Sequence, residues 1–167
     1  MAELPKGRRP SGRPRTGSRV AAVQALFQAE QAQTSPETVI EEFIRHRFGE
    51  LPGRGGFEDG RVLDVNVALF GQIVRSASRQ QDKVDPIIAA ALTDDWPMAR
   101  LDPVLRALLR AAAAELCMEG GPPARVVINE YLDVAHGFFD GEEPGMANGV
   151  LDRIARLLRP AEFAGVG

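Results

Sequence analysis

Hydrophobic side chains recur along most of this chain at the three- and four-residue spacing of amphipathic α-helices. The spacing predicts seven helices, over residues 18–31, 35–47, 61–78, 85–91, 102–118, 122–139 and 146–158. In the third of these, one face carries the apolar side chains Val62, Val65, Leu69, Ile73 and Ala77. Because no segment has a convincing strand pattern, we expect an all-α protein, a seven-helix bundle.

Capping residues support these boundaries. A serine or an aspartate, both good N-caps, begins four of the predicted helices: Ser18, Ser35, Asp85 and Asp102. In the last three a proline follows, and proline is favoured at the first helical position because its missing N–H is not needed there. The glycine-rich residues 141–145 break the chain before the last helix. We therefore expect these four helices to begin at their capping residues.

The positions of prolines and glycines divide the chain. Helix breakers recur through residues 1–17, at Pro5, Gly7, Pro10, Gly12, Pro14 and Gly17. We expect a flexible arm there. Residues 18–160 are predicted to form a single helical domain of two subdomains, about 18–80 and 81–160, with a hinge at Gln80, Gln81 and Asp82. Residues 161–167 make a short tail.

Charge is distributed unevenly between the arm and the rest of the chain. The first nineteen residues hold six basic side chains against the single acid Glu3, a net charge of +5, whereas the remaining residues carry −8. Local cationic density neutralises phosphates even when the whole chain is acidic. Five of the six basic residues are arginine, whose planar guanidinium bonds phosphate in pairs and stacks on unpaired bases. The arm therefore predicts binding to nucleic acid, with single-stranded RNA the best fit.

A basic terminus of this kind is also typical of solubility tails and expression remnants. Arg19 favours the RNA interpretation, because it continues the basic pattern onto the first predicted helix. An RNA-binding arm needs one anchored end to aim its guanidinium groups, whereas a tail without a partner has no such need.

Cysteine content and hydropathy bear on location. Cys117 is the single cysteine, so no internal disulfide forms, as expected in a reducing compartment. No apolar run approaches the roughly 20 residues that cross a bilayer, and no hydrophobic signal segment follows Met1. We expect a cytoplasmic protein with no membrane partner.

No group of residues predicts catalysis. The candidate groups are scattered along the chain: Asp94, Asp95, Glu142, Glu143, Cys117, His46 and His136. The histidines lack metal-ligand spacing, Cys117 in a helix rich in alanine and leucine fits an inert buried thiol, and the acid pairs fit solvated loops. Asn129 and Glu130 point about 100° apart on their helix, which suits buried hydrogen bonds better than catalysis. We expect no enzyme, no cofactor and no metal.

Four segments of the chain, taken in order, resemble the signatures of one family. They are residues 22–28 (Ala-Val-Gln-Ala-Leu-Phe-Gln), 108–116 (Leu-Leu-Arg, then Ala-Glu-Leu), 126–130 (Val-Val-Ile-Asn-Glu) and 148–152 (Asn-Gly-Val-Leu-Asp). In this order and at this spacing, over roughly residues 15–160, the chain resembles the NusB family of transcription antitermination proteins. Each motif is weak alone, whereas four in register are a strong signal.

The resemblance implies an all-helical fold of two subdomains and a non-catalytic role. In this family an arginine-rich amino terminus binds boxA RNA in nascent ribosomal transcripts. The family member pairs with the ribosomal protein NusE to form an RNA-binding heterodimer. The resemblance therefore implies boxA-type single-stranded RNA, NusE and the transcription elongation complex as partners.

The arm and the resemblance together assign candidate residues. The RNA-binding candidates are Arg8, Arg9, Arg13, Arg15, Arg19, Gln24, Met146 and Asn148. The protein-partner candidates are Leu105, Arg106 and Glu142, the last an acidic position in the loop before the final helix. Phe27 matches the family's aromatic position in the first helix, where a core role fits it better than base stacking.

The chain departs from the family pattern in three places. Pro14, Thr16 and Gly17 interrupt what is often a denser basic cluster. Met146 stands where many members have an aromatic residue, which removes a ring face for stacking a base. Leu105 falls near a position where an acid often serves the protein partner. The arm is therefore expected to contribute affinity more than sequence choice.

Two other non-enzymatic functions fit the same chain. One is a stand-alone accessory domain related to the RNA-binding amino-terminal domain of ribosomal RNA cytosine methyltransferases. The other is a protein-interaction bundle without RNA specificity. The salt dependence of RNA binding separates them from the first interpretation, because phosphate contacts release counterions.

Overall fold

A computed structural model describes residues 14–48 and 65–165, and these residues contain seven α-helices. The helices are α1 (Pro14–Ala32), α2 (Pro36–Glu42), α3 (Val67–Arg79), α4 (Gln81–Ala91), α5 (Pro103–Cys117), α6 (Ala124–Phe138) and α7 (Glu143–Leu158). A π-helical turn, Phe43–Arg47, continues α2, and 3-10 turns cover Met98–Arg100 and Pro160–Glu162. No strand occurs in the described ranges, and the predicted all-α, seven-helix class is confirmed.

The chain forms two compact units, Met1–Val74 and Arg75–Gly167. Their boundary lies inside α3, ahead of the predicted division at Gln80. The polar residues after Gln80 instead begin α4. A polar run marks where one helix ends and the next begins, whereas side-chain burial decides which residues form a compact unit.

Aromatic packing is the main feature of the first unit. The Phe70 ring stacks on Phe43 with centroids 5.6 Å apart and meets Phe48 edge-on at 4.9 Å. These contacts fix the end of α2 and its π-helical turn against the start of α3. The α1 side chains Ala21, Ala22, Val23 and Ala25 are fully buried.

Helix α1 begins at Pro14, one turn before the predicted start at Ser18. Ser18 is buried, and its Oγ lies 2.7 Å from the Asn66 carbonyl oxygen, 2.9 Å from that of Pro14, and accepts the Asn66 N–H at 2.8 Å. The serine therefore bonds a segment 48 residues away instead of capping its own helix. Residues 14–17, predicted as the end of the arm, are helical.

Helix α4 also begins earlier than predicted, at Gln81, and includes Pro86. Asp85 is not its N-cap, because the carboxylate accepts hydrogen bonds from Arg110 Nε and Nη2, both at 2.9 Å. This bidentate pair joins α4 to α5 and is partly shielded from solvent. The Asp-Pro pattern is the same at Asp102, but there the prediction is confirmed: Asp102 Oδ1 accepts the Val104 N–H at 2.7 Å.

Helix α5 is the centre of the second unit and contacts α4, α6 and α7. Every residue from Ala111 to Leu116 is buried, and the alanines among them allow neighbouring helices to pack closely. Glu115 is also buried, and Tyr131 of α6 donates its hydroxyl proton to Glu115 Oε2 at 2.6 Å. Each of these two buried polar groups is thereby hydrogen-bonded inside an apolar core.

The segment after α7, predicted as a short tail, belongs to the second unit. Phe163 is buried, and Glu162 Oε1 accepts the Ala124 N–H at 2.7 Å, which closes the first turn of α6. Arg159 Nη1 donates to Glu162 Oε2 at 2.6 Å and to the Pro122 carbonyl at 3.1 Å. Because Pro123 offers no side-chain cap, Glu162 supplies one from 38 residues away.

Glu162 gives the second unit a pH-dependent contribution to stability. The Ala124 N–H, and then Arg159, lower the pKa of its carboxyl below the ordinary value of 4.5. The Glu162 carboxyl therefore binds a proton more readily in the unfolded chain than in the folded protein. The stabilisation by this carboxylate is complete when the pH lies above the ordinary pKa, and it is lost as the pH falls through the lowered pKa. We expect Glu162→Gln to lower the melting temperature near neutral pH and to flatten its fall in acid. Glu119→Gln, at an exposed acid, is the control, and equal acid profiles for wild type and Glu162→Gln would contradict the assignment.

Candidate nucleic-acid interface

The predicted RNA-binding residues begin at the amino-terminal end of α1. Arg8, Arg9 and Arg13 lie outside the described residues. Arg15 is exposed in the first turn of α1, which contains no acidic residue. The positive end of the helix dipole adds to its charge. Arg15 and the amino-terminal end of α1 are thus both positively charged, a combination that favours binding of an anion.

Arg19 lies on the buried face of α1. Only 3% of the residue is exposed, and it already interacts with another group of the protein. Arg19 does lie on the first helix as predicted, but its side chain is buried and is not available to RNA. The reason is the face it occupies, beside the buried residues Ser18, Ala22 and Val23.

Gln24 and Phe27 are both half-buried on α1. Gln24 Oε1 is inaccessible to solvent and has no hydrogen-bond partner among the described residues. Solvent does not reach this oxygen, so a donor on RNA would not reach it either, and the unbonded atom is not evidence for an RNA contact. The assignment of Gln24 to RNA stays a prediction.

Met146 and Asn148 lie inside α7, which begins at Glu143 rather than after the predicted break at 141–145. Met146 is half-buried and Asn148 is exposed, while Ala147 between them is fully buried. The Asn-Gly pair is thus in the second turn of the helix and not at its start. The side-chain amide of Asn148 is accessible to a ligand, and so is part of the Met146 side chain.

Of the three partner candidates, Glu142 alone is exposed. Leu105 is fully buried in α5, so its assignment to a partner surface is wrong. Arg106 is half-buried, and its Nη1 donates to the carbonyl oxygens of Met98 at 3.2 Å and Leu101 at 3.1 Å. The guanidinium thereby holds the 3-10 turn before α5. Near this turn, Asp94 and Asp95 are exposed.

The residues weighed for catalysis range from exposed to partly buried. Asn129 is exposed, so the burial predicted for it is wrong, whereas Glu130 and Cys117 are partly buried. His46 and His136 are exposed. Within residues 14–48 and 65–165, no cluster of three metal-ligating side chains occurs. Over the same ranges, no helix is long and apolar enough to cross a bilayer.

One concave surface was not predicted. It lies in the second unit between the end of α5 and the end of α7, lined by Lys83, Cys117, Met118, Arg159 and Glu162 among others. Arg159 is committed to the Leu116 carbonyl at 2.8 Å and to Glu162, so its charge serves the fold. These residues come from distant segments, and no local pattern in the sequence brings them together.

Comparisons with known proteins bear directly on the family. The NusB family model matches residues 16–156. A relative from Granulibacter bethesdensis, named transcription antitermination protein NusB, is 68% identical over 153 residues, covering 92% of this chain and 94% of the relative. Among solved structures, T. maritima NusB has a TM-score of 0.70 at 26% identity, covering 90% of this chain and 96% of that one.

A second solved structure has the same fold. It contains the antitermination factors NusB and NusE in complex with dsRNA, and its matching chain has a TM-score of 0.69 at 23% identity, covering 87% of this chain and 98% of that one. The all-helical fold found here is therefore that of known NusB structures. The relatives are named as antitermination proteins, a regulatory and non-enzymatic role. The chain belongs to the NusB family of transcription antitermination proteins.

Proposed function

We propose that this protein is an antitermination factor for ribosomal RNA transcripts that binds boxA-type single-stranded RNA through its basic amino terminus, together with NusE. The observation that carries the proposal is the net charge of +5 in the first nineteen residues, beside a chain that totals −3. Family membership supplies the role, and the solved NusB–NusE–dsRNA complex supplies the kinds of partner. The protein acts in the cytoplasm, as part of the transcription elongation complex.

The basic residues divide into those that contact RNA and those that support the fold. Arg8, Arg9, Arg13 and Arg15 supply the phosphate contacts, because Arg15 is exposed at the start of α1 and Arg19 is buried. Arginine suits this use, since its guanidinium donates two parallel hydrogen bonds to one phosphate. Gln24 on α1, and Met146 and Asn148 on α7, add contacts to bases or sugars.

The protein partner is proposed to dock on acidic surface of the second unit. Glu142 is exposed immediately before α7, and Asp94 and Asp95 are exposed in the connection before α5. Exposed carboxylates attract a basic ribosomal protein.

The salt dependence of RNA affinity tests the arm. Four phosphate contacts to single-stranded RNA predict a slope of roughly −3 for log affinity against log salt concentration. Deleting residues 1–13 leaves α1 intact and should remove most of that slope, as should changing Arg8, Arg9, Arg13 and Arg15 to glutamine. A flat salt response in the full chain, or undiminished binding after the deletion, would contradict the proposal.

A further inference from the structure

The second unit carries an exposed cationic cluster that the proposed function does not use. Arg125, in the first turn of α6, and Arg156, in the last turn of α7, both lie over the ring of Phe163. Their Cζ atoms are 5.1 Å and 4.7 Å from the ring centroid. Both arginines are exposed, whereas Phe163 is only 9% exposed. The ring is thus a platform that positions two guanidinium groups toward solvent.

The cluster retains unused hydrogen-bonding capacity. Among the described residues, Arg125 forms no salt bridge, and its guanidinium lies against the Phe163 ring. Arg156 uses Nε to bond Asp152 at 2.9 Å, and its two terminal nitrogens have no bond within the described ranges. The other nearby acid, Glu162, is already bonded to Arg159 and to the Ala124 N–H. Both guanidinium groups are therefore able to bind an external anion.

Stacking also lowers the cost of binding. A free arginine loses much rotamer freedom when it binds a phosphate, whereas a guanidinium already held over a ring has lost part of it. The two Cζ atoms are at most about 10 Å apart, because they lie 5.1 Å and 4.7 Å from the centroid of the same ring. Two groups at this separation are able to contact neighbouring phosphates of one strand. A lone surface arginine would bind one phosphate without any fixed direction.

The cluster is continuous with a residue already assigned to RNA. Asn148, Asp152 and Arg156 are spaced four residues apart on α7, so they follow one stripe of the helix. From Asn148 to Arg156 the stripe spans about 12 Å along the helix axis. RNA that contacts Asn148 reaches the cluster by following this stripe.

We propose that Arg125 and Arg156, positioned by Phe163, form a second phosphate-binding site for RNA on the second unit. The ligand is the sugar–phosphate backbone of a single strand, so the site adds affinity without reading sequence. This inference rests on the proposed function, because it names RNA as the ligand. It extends the RNA contact to residues beyond the arm and beyond the family motifs.

The test is the affinity of single-stranded RNA for wild type and for Arg125→Gln/Arg156→Gln, measured by fluorescence anisotropy across a salt series. We expect roughly fivefold weaker binding in the double variant at about 0.1 M salt. We expect the slope against log salt to become less steep by about 1.4. The control is Arg79→Gln/Arg100→Gln, which removes the same charge from exposed residues of the same unit. It should change both quantities much less.

Further outcomes distinguish a phosphate site from a general effect of charge and from a contact with the protein partner. Equal losses in the two double variants would show that net charge alone matters and would overturn the site. Loss of NusE binding with unchanged RNA affinity would assign the cluster to the protein partner and would also overturn it. If full-length wild type binds no RNA, the proposed function fails as well. If wild type binds RNA through the arm and Arg125→Gln/Arg156→Gln matches its control, this inference alone fails.

Discussion

Leu105→Glu is expected to lower the free energy of unfolding of the second unit by about 4 kcal/mol or more, enough to unfold it in part at room temperature. Leu105 is fully buried in α5, the helix that contacts α4, α6 and α7. A glutamate there must either stay charged in an apolar site or fold only as the neutral acid, and both states are costly. Urea unfolding followed by circular dichroism measures the loss.

Leu157→Glu is the matched control for this change. Leu157 is also a helical leucine of the second unit, but it is 62% exposed, so we expect a change within about 0.5 kcal/mol. The resemblance to the family implies an acid near position 105 that serves the protein partner. If Leu105→Glu were as stable as Leu157→Glu and bound NusE more tightly, the core assignment of Leu105 would be contradicted.

Arg19→Ala is expected to lower the free energy of unfolding of the first unit by about 2 kcal/mol. The side chain is 3% exposed and interacts within the protein, so its removal takes away a buried interaction. It also removes the packing of the aliphatic stem. Thermal or urea unfolding of the purified variant measures the effect.

Arg15→Ala gives the converse result and serves as the comparison. Arg15 is exposed one turn earlier on α1, so stability should change by less than about 0.5 kcal/mol while RNA affinity falls. Correctly folded Arg19→Ala, assayed well below its melting temperature, should bind RNA nearly as wild type does. Unchanged stability with lost RNA binding in Arg19→Ala would return that residue to the interface.

The helix positions that the sequence predicts well are those fixed by neighbouring residues. Ser35 and Asp102 cap α2 and α5 as expected, because each bonds an N–H two or three residues away. Ser18 and Asp85 have the same local pattern and do not cap. Ser18 bonds Asn66, and Asp85 bonds Arg110. Those partners are 48 and 25 residues distant, so a local pattern does not reveal them.

The candidate interface divides in a similar way. The charge of the arm points to Arg15, whereas Glu142 and Asn148 were assigned from the family resemblance, and all three side chains are exposed. The charge pattern does not reveal whether a cation on α1 faces solvent or the core, which depends on the helix beginning at Pro14 and on what packs against it. The two arginines over Phe163 were missed for a related reason. They come from α6 and α7, and the ring that both contact comes from the predicted tail.

RNA affinity measured with and without NusE, for boxA and for a scrambled oligonucleotide at one salt concentration, tests the proposed function most directly. We predict that NusE strengthens binding to boxA and leaves binding to the scrambled strand nearly unchanged, since the arm alone contributes charge and little sequence choice. Equal binding to both strands, with no effect of NusE, would contradict the proposal and leave a protein with general RNA affinity.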